Sequence, residues 1–264
     1  MSAAIQEQND IIYEVRGRVG YVTFNRPAAR NAFTFAMYER IASICDGLNG
    51  QDEVRALVLT GAGEAAFAAG TDINQFRAFR TPEDAIGYER RIDGVLKALE
   101  NCRIPTIAAI NGACTGGGAA IAAVCDLRLA SAGARFGFPI ARTLGNCLSI
   151  ENYARLAGLI GPARVKDLIF TARLIGAEEA ERIGLVSEVL PDRAALMARA
   201  AELAETVAGH APLTLRVTKE ALNRIGRLSR IEAEDLVLTC YMSEDFREGM
   251  DAFLTKRKPD WKGR

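Results

Sequence analysis

PTIAAINGACTGGGAAIAAVCD, residues 105–126, is the stretch around which the rest of the chain is organised. Residues 107–110 read as a buried apolar strand, Asn111-Gly112 as a break, and Gly116-Gly117-Gly118 as the start of a helix of small residues. Glycines at a helix start let a ligand approach N–H groups that have no partner inside the helix, and the helix dipole adds positive potential there. The turn is therefore suited to holding negative charge. An isolated glycine triplet also lets a helix pack closely on its neighbours, which is its commoner use.

Upstream, residues 11–15 and 19–25 read as a hairpin turned at Arg16-Gly17-Arg18. After the loop Arg26-Pro27-Ala28-Ala29-Arg30-Asn31, Met37, Ile41, Ile44 and Leu48 recur at helical spacing and predict a helix over 34–49 with Thr34 as N-cap. VRALVLT at 54–60 reads as a strand ended by Gly61-Ala62-Gly63, so strand, helix and strand begin to repeat, which argues for an α/β fold. FAAGTDI at 67–73 is a second candidate ligand turn, although capping of the turn that follows is the commoner job for an Asp at position 72. A helix over 82–101, carrying Ile86, Ile92, Val95, Leu96 and Leu99, leads back to the glycine turn.

Downstream, a strand is expected over 127–131, a turn at Arg135-Phe136-Gly137-Phe138-Pro139, helices near 150–157, 163–171 and 177–183, and a short strand over 185–190. From Asp192 the pattern is helical, with Leu196, Leu203 and Val207 on one face and Leu213, Val217 and Leu222 on another. The expected division is 1–205 for the core and 206–264 for a helical region, with no linker, repeat or low-complexity segment between them.

The chain has 264 residues, 49% of them hydrophobic, which suffices for a large core. Lys plus Arg and Asp plus Glu both number 33, so no global field attracts nucleic acid and any anion site must be local. Cys45, Cys102, Cys114, Cys125, Cys147 and Cys240 lie far apart without metal-ligand spacing, and read as buried thiols of a reducing cytosol. MSAAIQEQND lacks the basic flank and apolar core of a signal peptide, and no run approaches membrane-spanning length. A cytoplasmic protein with no membrane partner and no metal is expected.

NRPAARNAF at 25–33, FAAGTDI at 67–73, INGACTGGG at 110–118, FGFP at 136–139 and EGMDAFLTKRKPDW at 248–261 together resemble the crotonase (enoyl-CoA hydratase/isomerase) superfamily, in its order and at its separations. The resemblance implies a spiral of β-β-α repeats followed by a helical trimerisation region, assembled as a homotrimer or dimer of trimers. It also implies an acyl-CoA thioester substrate, with coenzyme A entering as part of that substrate and no separate cofactor. The N–H groups of Thr71 and Gly117 would form an oxyanion hole, two fixed donors for the charge that builds on the thioester oxygen. Ala28, Ala29 and Arg30 would lie along the CoA, and Ala69, Asp72 and Ile73 near its adenine and pantetheine. Gly116, Pro139, Ile140 and Leu144 would border the acyl site, and Lys256, from a neighbouring subunit, would meet the phosphates. Members often carry Lys or Glu where this chain has Ala28, so one phosphate contact is expected to be missing.

The departure lies in the acid/base groups. Hydratases of the family carry one glutamate two residues after the glycine triplet and another after the proline of the FGFP stretch, where this chain has Ala120 and Ile140. A third position that some members use holds Leu148. Syn hydration needs a group to activate water and return a proton, so ordinary two-glutamate hydration is not expected. Glu151 and Tyr153 stand out as proton carriers in the segment that lines the acyl pocket, Asp72 is a further candidate, and Arg142 can bind an acyl carboxylate if it points inward. The single histidine, His210, lies in the helical tail. Three readings remain: an enolate-stabilising acyl-CoA enzyme of another reaction, a silent acyl-CoA binder, and a hydratase with a substitute acid/base.

Overall fold

The computed structural model describes residues 10–77, 79–227 and 234–264. β1 (Ile11–Arg16) and β2 (Val19–Phe24) form the expected hairpin, and α1 (Phe35–Asn49) follows, capped by Thr34, whose side chain accepts from the Met37 N–H. The chain then winds in repeated turns. β3 (Ala56–Gly61), β4 (Ala66–Ala68) and α2 (Pro82–Glu100) make one turn, and β5 (Thr106–Ile110), β6 (Ala113–Thr115) and α3 (Gly117–Val124) the next. β7 (Leu127–Ser131), β8 (Arg135–Gly137) and α4 (Ile140–Thr143) make a third. After them come α5 (Ile150–Ile160), α6 (Pro162–Thr171), β9 (Ile175–Gly176), α7 (Ala177–Arg182), β10 (Glu188–Leu190), α8 (Arg193–Ala208), α9 (Pro212–Arg227), α10 (Glu234–Tyr241) and α11 (Glu244–Thr255).

The long strands form a six-stranded sheet in the order β1-β2-β3-β5-β7-β10, parallel except for the hairpin. The short strands form a second sheet, β4-β6-β8-β9. This β-β-α winding is the architecture that the motifs implied. Alternation along β3 shows how the layers divide: Leu57 and Leu59 face the main core with Phe24, Phe67 and Ile110, while Ala56 and Val58 face α8. That helix lays a four-residue repeat of Leu196, Ala200, Ala204 and Ala208 on the sheet, all buried. Its small residues let it sit close, and Leu196 as its one large fully buried side chain is worth about 2 kcal/mol of transfer free energy.

Three expectations are corrected. The second-sheet strands β4, β6 and β8 are not legible in sequence, because the three-residue runs AFA, ACT and RFG are too short to carry a strand signal of their own and are extended through pairing with one another and with β9. The strand expected over 185–190 begins at Glu188. The division at 205 falls inside α8, which packs on the sheet; the helical break comes at Gly209 to Pro212, where helix α8 ends and Pro212 opens the next helix. The readings of 1–9 as lacking a signal peptide and of 228–233 as helical lie outside the described residues. Five of the six cysteines are buried and all are free thiols. Among the described residues no helix is long and apolar enough to cross a membrane.

Candidate active site

Thr71 is held by the strand-like pairing of its neighbours. Phe33 N–H donates to Gly70 O at 2.8 Å, and Asp72 N–H donates to Phe33 O at 2.8 Å. Successive N–H groups in an extended chain alternate in direction, so Thr71 turns its own N–H away from Phe33. Gly117 is the first residue of α3, so its N–H has no carbonyl partner one turn earlier within the helix. The two turns touch: a Cβ on Gly116, whose φ is 51°, would lie 3.4 Å from Gly70 Cα, and one on Gly117 would lie 3.1 Å from Thr71 Oγ1. The glycines of the triplet differ in their surroundings. Gly118 packs α3 on β4, since a Cβ there would fall 2.2 Å from Ala68 O, whereas Gly116 and Gly117 border an open cavity.

That cavity measures about 650 Å³ and is lined by, among others, Thr71, Gly116, Gly117, Glu89, Asn146 and Tyr241. Ala120, Ile140 and Leu148 contribute apolar wall to it. Thr71 Oγ1 lies 2.9 Å from Tyr38 Oη and 3.1 Å from Tyr88 Oη, a chain of three hydroxyls behind the turn. Burial pushes both phenols up, so they stay neutral and position Thr71.

Glu89 is the acidic group sequence reasoning passed over. It is 8% exposed, lines the cavity, and accepts a hydrogen bond at 2.6 Å from Tyr241 Oη, which in turn accepts from Asn146 Nδ2 at 3.2 Å. Burial pushes its carboxyl up to about 7, and the Tyr241 bond opposes that rise only in part. A signal was present: Ala85, Glu89, Ile92, Leu96 and Leu99 form one buried stripe of α2, so an acid stood in an apolar row.

Among the expected contacts, Ala29, Arg30, Ala69, Asp72, Ile73, Pro139, Ile140 and Leu144 border the cavity, whereas Ala28 does not. Asp72 is committed elsewhere: its carboxylate pairs with Arg26 at 3.2 Å and caps Asn74 N–H at 3.1 Å. Glu151 does not join the site. It borders a separate cavity of about 460 Å³ and faces Lys97 at 3.8 Å, because its place in the first turn of α5 turns it to the far side. Arg142 is exposed on α4 and is not part of the cavity lining, so the condition on which it would bind an acyl carboxylate, that it points inward, is not met here. Tyr153 packs on the main core and His210 borders another cavity. Lys256 follows α11 as its C-cap, exposed and at φ 55°, and α11 lines this chain's cavity through Phe253 and Leu254.

Residues 14–264 match the family model for enoyl-CoA hydratase/isomerase. The chain belongs to the enoyl-CoA hydratase/isomerase family. It is 39% identical over 259 residues to a short-chain-enoyl-CoA hydratase of Clostridium acetobutylicum, covering 96% of this chain and 97% of that one. It is 34% identical to a crotonyl-CoA hydratase of Syntrophomonas wolfei over 96% of this chain and 97% of the relative. Among solved structures, methylmalonyl-CoA decarboxylase in complex with 2-nitronate-propionyl-CoA has a TM-score of 0.88 at 26% identity, over 96% of this chain and 98% of that one. The match of fold and family along nearly the whole chain supports an acyl-CoA enzyme.

Proposed function

We propose that this protein binds short acyl-CoA thioesters and stabilises the thioester enolate with the Thr71 and Gly117 N–H groups. The observation that carries the reading is the meeting of those two turns on one cavity, which Thr71, Gly116 and Gly117 all line. Two such donors are preorganised, so they act on developing charge without reorganising; one is worth about 3 kcal/mol. Hydration by glutamates at 120 and 140 is not part of the proposal, since Ala120 and Ile140 carry no proton.

Crotonyl-CoA is the probe, because two relatives are named for short-chain or crotonyl hydration. Hydration is followed by loss of the enoyl-thioester absorbance, and binding by calorimetry. Failure of crotonyl-CoA and butyryl-CoA to bind defeats the reading; binding without turnover favours a silent acyl-CoA binder. A second reading rests on the likeness to methylmalonyl-CoA decarboxylase: loss of CO2 from a malonyl-type ester forms the same enolate without a base, and methylmalonyl-CoA tests it by CO2 release. A homotrimer, alone or stacked in pairs, is proposed for the assembly, because α9 leaves Leu213, Val217, Leu222 and Ile225 exposed on its surface. Light scattering at micromolar concentration measures it.

A further inference from the structure

We propose that Glu89 is the proton-transfer residue of this cavity, set in the wall of α2 in place of acids at 120 and 140. The inference rests on the acyl-CoA reading above. Its basis is the position of one carboxyl group. Glu89 shares the cavity wall with Thr71, Gly117, Ala120 and Ile140, and among the described residues it accepts one hydrogen bond, from Tyr241, and has no cation within ion-pair distance. A buried carboxylate kept for structure has a cation or several donors around it. Asp93, one turn along the same helix, shows that pattern, accepting from Ser149 Oγ at 2.9 Å with Arg155 at 3.9 Å. Glu89 instead has, among the described residues, no hydrogen-bond partner for its second carboxylate oxygen, and it borders the cavity.

The groups within electrostatic reach of Glu89 are Tyr241 from α10, which bonds it, Tyr38 from α1, Cys147 ahead of α5, Tyr153 and the more distant Glu151 from α5, and Tyr88 and Asp93 on its own helix. The charged ones are acidic, and with burial they hold the carboxyl near 7, where it both accepts and returns a proton at neutral pH. In the step proposed, the Glu89 carboxylate takes the proton on Cα, the C–H electron pair forms the enolate double bond, and the thioester oxygen takes the charge. The same carboxyl then returns a proton to Cα. In hydration the carboxylate takes a proton from water as the water oxygen bonds to Cβ, and returns it to Cα.

Exchange of the butyryl-CoA α-hydrogen in D2O, read by mass spectrometry beside calorimetric binding of butyryl-CoA, tests this without needing the natural substrate. Wild type should exchange with a rate that rises with pH through about 7. Glu89→Gln should lose about 10²- to 10⁴-fold in rate with Kd held within about threefold. Tyr241→Phe should move the acidic limb to higher pH, since the Tyr241 bond favours the ionised carboxyl. If Glu89→Gln does not fold, Glu89→Asp and Tyr241→Phe carry the test. Bound ester with no exchange, or exchange that the Glu89 and Tyr241 variants leave unchanged in rate and pH profile, overturns the role of Glu89 alone. Failure to bind the ester overturns the acyl-CoA reading and this inference with it.

Discussion

Gly117→Ala is the most exacting test of the oxyanion turn. A Cβ at 117 would lie 2.0 Å from Tyr38 Oη and 3.1 Å from Thr71 Oγ1. Against an ordinary contact of roughly 3.5 Å, the first is short by about 1.5 Å. The phenol cannot withdraw: Tyr38 is 0% exposed, its ring stands 4.8 Å from Phe33, and its hydroxyl bonds Thr71 Oγ1 at 2.9 Å. The displacement therefore passes either into the start of α3 or, through Thr71, into the second donor. A misplacement of about 1 Å at a reacting centre costs on the order of 10²-fold, and loss of one oxyanion donor about 10²- to 10³-fold, or about 3–4 kcal/mol. Gly117→Ala is expected to lower kcat for butyryl-CoA α-exchange, or for crotonyl-CoA hydration, by about 10²- to 10³-fold. Adding Tyr38→Phe removes the clashing oxygen and leaves the ring Cζ 3.3 Å away, so the double variant should recover about tenfold. An unimpaired Gly117→Ala, or a double variant no faster than the single one, refutes the geometry.

Other outcomes follow from the same structure. Glu151→Gln should leave the rate within about twofold, because its carboxylate faces Lys97 across a different cavity; a drop of a hundredfold in steady-state kinetics would restore it as the acid/base. Asn31 is fully buried, donates to Ala62 O at 3.0 Å and Ala66 O at 2.7 Å, and accepts from Arg26 N–H at 3.0 Å, so Asn31→Ala should cost about 3 kcal/mol, read as a lower urea midpoint at unchanged m. Glu89 is raised from 4.5 to about 7, so the folded state favours its protonated form: its contribution is present in full below pH 4.5 and lost as pH rises through 7. Urea unfolding should therefore find Glu89→Gln gaining about 3 kcal/mol on wild type between pH 4.5 and 8.

Sequence alone determined the order of the main elements, because their signals are local. Helical spacing marked α1, a cap marked its start at Thr34, and apolar runs marked β3, β5 and β7. It also singled out the two turns at Thr71 and Gly117, since small residues before a helix read as a place where backbone approaches a ligand. The partners of those turns were decided by tertiary structure. β4 and β6 are three residues long and are held by pairing within the second sheet, and their parallel pairing brings residue 70 beside residue 116. Glu89, Tyr241 and Asn146 come from α2, the last residue of α10 and the loop before α5, separated by as many as 152 residues, and no periodicity links them. Glu151 was chosen for its segment and lost by its direction, which helix rotation sets at about 100° per residue and packing alone fixes. Chain order thus specifies which backbone groups are free, whereas which side chains face them depends on contacts that form only when distant elements close on one core.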